Sequence, residues 1–247
     1  MNGNFLSPFL SPLLNSLGSL WFVVLVSLFV SLLTIIVYKF TTDQTLMKSI
    51  RDDLKKMQDQ MKKSMHDQKK VAALQKEMMD KQWVMMRHSF TSTLITMLPI
   101  IVLFGWLTAH LSFVPIQQDV QFTVDVTFDD YVGNVTLMAP KEITVVGSVT
   151  KPVASNVEWR LSGKTGEYLL EWNVGDKTYT KEVVITSEQA YADSVKVVND
   201  GVVKQITINY KKNIILNLFG WKLGWLGSYI IFALIFSMIL RKLLKVY

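Results

Sequence analysis

The sequence predicts an α-helical membrane protein with three transmembrane helices, a cytoplasmic coiled-coil hairpin and an inserted extracytoplasmic all-β domain of immunoglobulin-like sandwich type. Three observations lead there. Residues 1–38 and 88–118 carry no Asp, Glu, Lys or Arg, and between Asn213 and Leu240 the single charge is Lys222. Residues 43–87 contain neither Gly nor Pro and are rich in Lys, Gln, Met, Asp and Leu, a helix-favouring composition. Residues 117–212 alternate apolar and polar side chains with the period of a half-buried strand.

Composition supports the same class. Half of the 247 residues are hydrophobic and 19% are charged, below the roughly 25% of soluble domains. The net charge of +6 is segregated by loop. Residues 39–88 hold 12 basic and 7 acidic groups, residues 110–212 hold 10 and 13, and Lys222, Arg241, Lys242 and Lys245 complete the basic set. Charge sorted in this way argues against a nucleic-acid protein read from its overall basicity. With no cysteine, disulfides, thiolate zinc sites and thiol nucleophiles are excluded.

Residues 1–19 precede the first span as an extracytoplasmic segment. The span itself, 20–38 (LWFVVLVSLFVSLLTIIVY), has the roughly 20 apolar residues a bilayer requires. It lacks a basic leader and a small-residue cleavage site, so it reads as a retained helix and not as a signal peptide. The second span is 89–111, where Pro99 predicts a kink that Thr96 or neighbouring helices can compensate. The third is 214–240, whose Gly220, Gly224 and Gly227 suit close helix packing. Trp21, Tyr38, Trp106, Trp221 and Trp225 lie near span ends, as interfacial anchors do. The basic loop 39–88 and the basic tail 241–247 belong in the cytoplasm by the positive-inside rule. The expected protein is therefore multi-pass in the cell membrane, with its N-terminus and residues 112–213 outside and its C-terminus inside.

In the cytoplasmic loop, Met47, Ile50, Leu54, Met57 and Met61 follow the alternating steps of a coiled-coil seam. Residues 64–70 (SMHDQKK) interrupt it, and Val71, Leu74, Met78, Met79 and Met85 resume it. A helical hairpin is expected, the alternative being one straight helix of roughly 70 Å. Eight of the twelve methionines lie here. A two-helix core accounts for some of them, but Met78, Met79, Met85 and Met86 come as adjacent pairs that cannot all face one seam. Flexible and polarizable, they suit a surface that receives hydrophobic segments of varied shape.

Ser27, Ser31, Thr34 and Tyr38 are spaced by 4, 3 and 4 residues and form one polar stripe on the first span. Ser89, Ser92, Thr93 and Thr96 occupy the matching half of the second. Facing each other, the stripes make a hydrophilic groove open to the cytosol, with Lys39, Arg87 and His88 at its mouth. Ordinary hydroxyl glue between packed helices is the competing explanation.

The external domain reads as seven or so short strands (VQFTVDVTF, NVTL, EITVV, NVEWRL, EYLLEWNV, TYTKEVVIT and VVKQITINY), with Trp159 and Trp172 in its core. Asn134-Val-Thr fits a glycosylation sequon. The domain carries no catalytic constellation and reads as a binding or spacer module for an external partner. His66, His88 and His110 fall in different segments, so neither a catalytic set nor a metal site is predicted, and no cofactor is implied.

Residues 20–112 and 214–246, above all the run QKEMMDKQWVMMRHSFTSTLITMLPIIVLFGWL and the run FGWKLGWLGSYIIFALIFSMILRKLLKV, resemble the archaeal YidC-like proteins of the Oxa/YidC/Alb superfamily, relatives of the third subunit of the ER membrane protein complex. The resemblance implies a membrane insertase without ATP hydrolysis: three helices around a cytosol-facing groove, and a coiled coil that touches the ribosome or the nascent membrane protein as it enters the lipid bilayer. The chain departs from that pattern in its long external β-domain. It also lacks an Arg within the first span, Lys39 and Arg87 being the nearest substitutes. The alternatives are a membrane-anchored scaffold or adhesion protein whose β-domain binds a partner, and a signalling receptor.

Overall fold

A computed structural model describes residues 5–64, 66–129 and 132–246. Met65 of the methionine-rich loop, Asp130, Tyr131, residues 1–4 and Tyr247 lie outside the described residues. The chain divides into two compact units: residues up to Leu20 with Gly105–Trp225, and Trp21–Phe104 with residues from Leu226 onward.

Among the described residues, three helices are long and apolar enough to cross a membrane. The first, α1 (Ser7–Thr41), starts well before residue 20 and contains Gly18 at φ 74 and ψ 163. That backbone geometry suits glycine, so α1 is two helical segments, 7–17 and 19–41. Asp43 then caps α2 (Gln44–Lys63), its carboxylate accepting from the N–H groups of Thr45 and Leu46 at 2.9 and 3.1 Å. The chain reverses between Lys63 and Gln68, and Asp67 opens α3 (Gln68–Leu111) by accepting from the Lys70 N–H at 3.1 Å. The segment is therefore a hairpin and not one straight helix. Its second arm runs without interruption into the second span, through Pro99, as a single 44-residue helix. Thr96 Oγ1 donates to the carbonyls of Ser92 and Thr93, so it does not serve the Ile95 carbonyl that Pro99 leaves without its helical donor.

Among the described residues the β region holds nine strands: β1 (Phe122–Phe128), β2 (Asn134–Met138), β3 (Ile143–Val146), β4 (Thr150–Pro152), β5 (Asn156–Gly163), β6 (Gly166–Val174), β7 (Lys177–Ile185), β8 (Val195–Val197) and β9 (Val203–Ile208). The short β4 and β8 were not expected from the sequence. All pairings are antiparallel, in sheets of order β3-β5-β1-β9-β8 and β4-β2-β6-β7. The inward residues of both sheets meet in one apolar core, where the rings of Trp159 and Trp172, both fully buried, lie edge to face at 6.2 Å. At the base, Phe113, Tyr191 and Tyr210 form an aromatic trio with centroids 5.5 Å apart. The Tyr191 hydroxyl accepts from the Ser112 N–H and donates to the Thr108 carbonyl, tying the region to the end of α3.

The third span differs from expectation. Residues 214–224 are not helical: β10 (Leu216–Leu218) and β11 (Trp221–Leu223) pair as a hairpin, and α4 (Trp225–Leu243) begins only after it. Phe219 and Gly220, at φ 50 and 95, make the turn, as two-residue hairpin loops demand. Gly220 and Gly224 therefore serve no helix packing. An apolar run of this length does not distinguish strand from helix by periodicity.

Candidate functional site

The hairpin and the spans joined to it hold the candidate site, all within the second unit. Between the arms, Met47, Ile50 and Met57 of α2 are buried. Lys81 of α3 reaches Asp53 of α2 at 2.8 Å and fastens the arms together. The hydrogen bond and charge of Lys81 hold the Asp53 carboxyl below its usual range, and the same bond raises the Lys81 ammonium. Towards the turn, Gln58, Met61, Lys62, Val71 and Met78 line a largely apolar cavity of about 360 Å³.

The four singled-out methionines divide between two faces. Met78 and Met85 are half-buried, whereas Met79 and Met86 are exposed. The exposed pair belongs to a longer feature that the sequence reading passed over. Met79, Trp83, Met86, Phe90, Leu94, Met97 and Ile101 are all exposed, Trp83 and Phe90 each at 59%. Their separations of 4, 3, 4, 4, 3 and 4 residues place them on one side of α3. The stripe passes from the amphipathic arm into the span without a polar break. The helical spacing from Met79 onward is visible in the sequence and takes in Trp83 and Phe90 as well as the methionines.

The predicted polar stripes are placed less simply. The Ser27 hydroxyl donates to the Val23 carbonyl at 2.7 Å and lies 3.5 Å from the Tyr229 carbonyl of α4, while Ser31 donates to the Ala233 carbonyl at 3.3 Å. Both are buried, as are Ser92 and Thr96. Thr34, Tyr38 and Ser89 are half-buried and Thr93 is exposed. Ser89 and Thr93 donate to the carbonyls of Met85 and Ser89, four residues back. Of the basic groups assigned to the mouth, Arg87 and His88 are exposed on α3, and Lys39 Nζ donates to the Leu244 carbonyl at 3.3 Å. Tyr38 lies beneath the Arg241 guanidinium, 5.3 Å from ring centroid to charge. The structure thus directs Ser27 and Ser31 to α4 and leaves Ser89 and Thr93 beside the apolar stripe.

Apolar helices of spanning length, a helical hairpin continuous with one of them and an inserted β region mark a membrane-embedded protein. Residues 6–144, more than half of the chain, match the family described as integral membrane protein EMC3/TMCO1-like, and the chain belongs to that family. The family lies in the Oxa1/YidC-related insertase superfamily and is linked to membrane protein insertion. The matched residues take in α1, α2, α3 and the first two strands. Neither curated proteins nor solved structures give a match to this chain.

Proposed function

We propose that the chain is a membrane insertase of the archaeal YidC-like type, which receives hydrophobic segments of nascent proteins from the cytosol and eases their entry into the bilayer. The exposed apolar stripe on α3 carries this reading. Large apolar side chains on a solvated hairpin arm remain costly until a partner covers them, and each contributes up to about 1.5–3 kcal/mol when fully buried. A stripe that starts on the arm and ends within the span lets a client exchange one apolar contact for the next. Ser89 and Thr93 border it, with Arg87 and His88 at the entry, so a polar flank of the client finds hydrogen-bond partners as it passes. The residues buried towards α4 play the part of helix glue here, which narrows the wettable path to the α3 side.

On this reading the hairpin is a short antiparallel coiled coil in the cytosol, the N-terminus lies outside and the C-terminus inside, and the β region is an external immunoglobulin-like sandwich. Lys62, Lys63, Lys69 and Lys70 surround the hairpin turn and are exposed, which suits salt-sensitive contact with ribosomal RNA. No bond-making chemistry is required of the chain.

Photo-crosslinking from Met79, Trp83 and Met86 in a stalled ribosome–nascent-chain complex tests the proposal, with Lys55 on α2 as the reference. Strong adducts from all three positions and weak ones from Lys55 are expected. Replacing the three by Ser should reduce client insertion by about tenfold or more. Uniform crosslinking, or unchanged insertion by the triple variant, would overturn the assignment.

A further inference from the structure

Basic groups collect where α4 ends. Arg51 of α2 and Arg241, Lys242, Lys245 and Val246 line an open cavity of about 370 Å³. Among the described residues no carboxylate lines it and none of the four cations is ion-paired. Those residues supply no counter-charge to offset the mutual repulsion.

The backbone supplies a second observation. The Val246 N–H donates to the Arg241 carbonyl at 3.1 Å, and Lys245 between them stands at φ 49. This is a Schellman-type helix end, whose left-handed position normally takes glycine. Here it carries a lysine, a backbone cost borne by a side chain that lines the cavity. The rim is held from both sides, by Arg241 over the Tyr38 ring and by Lys39 on the Leu244 carbonyl.

Depth identifies the ligand. Tyr38 and Lys39 close one apolar span, and Arg241 is the first charge after the uncharged run 223–240. Such a level, where apolar helix gives way to cations and an aromatic anchor, is that of lipid headgroups. The geometry points to this cavity as a site for the phosphate of an anionic phospholipid headgroup, held between α2 and the end of α4. Arg51 and Arg241 supply forked donors suited to phosphate oxygens, and the lysines supply point charges. A zwitterionic headgroup brings an ammonium that the four cations repel. The inference is separate from the insertion reading and stands or fails without it.

Native mass spectrometry of the delipidated full-length chain tests the site, with phosphatidylglycerol, phosphatidylcholine and inorganic phosphate as probes. Phosphatidylglycerol should be retained about tenfold more tightly than phosphatidylcholine, and R51Q with K245Q should abolish that preference. K62Q with K63Q, an equal charge change at the hairpin turn, should leave it intact. Lys245→Gly removes the cation while relieving the backbone, so weaker lipid retention by this variant cannot be ascribed to unfolding. Equal retention of both lipids, equal loss in the two double variants, or full retention by Lys245→Gly would overturn the site. Inorganic phosphate or a short RNA displacing phosphatidylglycerol at equal concentration would assign the cavity to a soluble phosphate and overturn the lipid.

Discussion

Asp200 shows how much one side chain organises in the β region. Its carboxylate accepts from Lys177 Nζ at 2.8 Å, Tyr179 Oη at 2.7 Å, and the N–H groups of Val202 and Val203 at 3.1 and 2.9 Å. The Lys177 bond, then the Val203 and Tyr179 bonds, hold the carboxyl well below its ordinary value of 3.8. A depressed carboxyl favours the fold above its unfolded value, and that contribution is lost as pH falls through the folded one. Thermal melts of the intact chain should therefore be flat from neutral pH to about pH 4 and decline below it. Asp200→Asn should flatten the acid limb; an unchanged limb would refute the assignment. In the sequence this residue stands in the short stretch VNDG before β9, and its partners on β7 are not legible there because strand pairing brings them together.

Among the elements, the hairpin turn is the clearest case of chemistry that was present in the sequence and undervalued. No Gly or Pro breaks residues 43–87, yet the chain reverses between Lys63 and Gln68. Asp67 does the work, because a carboxylate that accepts from the first-turn amides stabilises a new helix start. Asp67→Ala should cost the second arm about 1 kcal/mol. Hydrogen exchange should read this as faster exchange at 68–71, with residues 90–104 unaffected; equal acceleration in both segments would point to global loosening instead. The strands were legible because one face of each sheet is buried and the alternation is strict. The 216–223 hairpin was not, because its residues are apolar on both sides of a Phe-Gly turn. Phe219, fully exposed at a left-handed position, is a residue no propensity scale places there.

At the scale of the whole molecule, the β region is an insertion whose ends meet. The Asn213 N–H donates to the Ser112 carbonyl at 3.0 Å, and Phe113 bridges to Lys212. A short linker can therefore replace residues 113–212 without stretching the joined helices. On the insertase reading, a chain carrying a four-residue Gly/Ser linker there should insert clients within about twofold of the intact protein, since separately cored regions contribute separately. Loss of insertion beyond tenfold would give the β region a direct part in the activity.

Class and span count followed from composition, because the cost of desolvating charge leaves long uncharged runs that any reader of the chain can find. So did the helical arms, the strand periodicity and the buried tryptophans, all consequences of local period and side-chain type. Which hydroxyls face which helix, where the third span begins, that Trp83 and Phe90 complete an exposed stripe, and that four cations share one cavity were decided by tertiary structure alone. Each depends on the rotation and pairing of elements far apart in the chain, and those are set by packing rather than by any local preference.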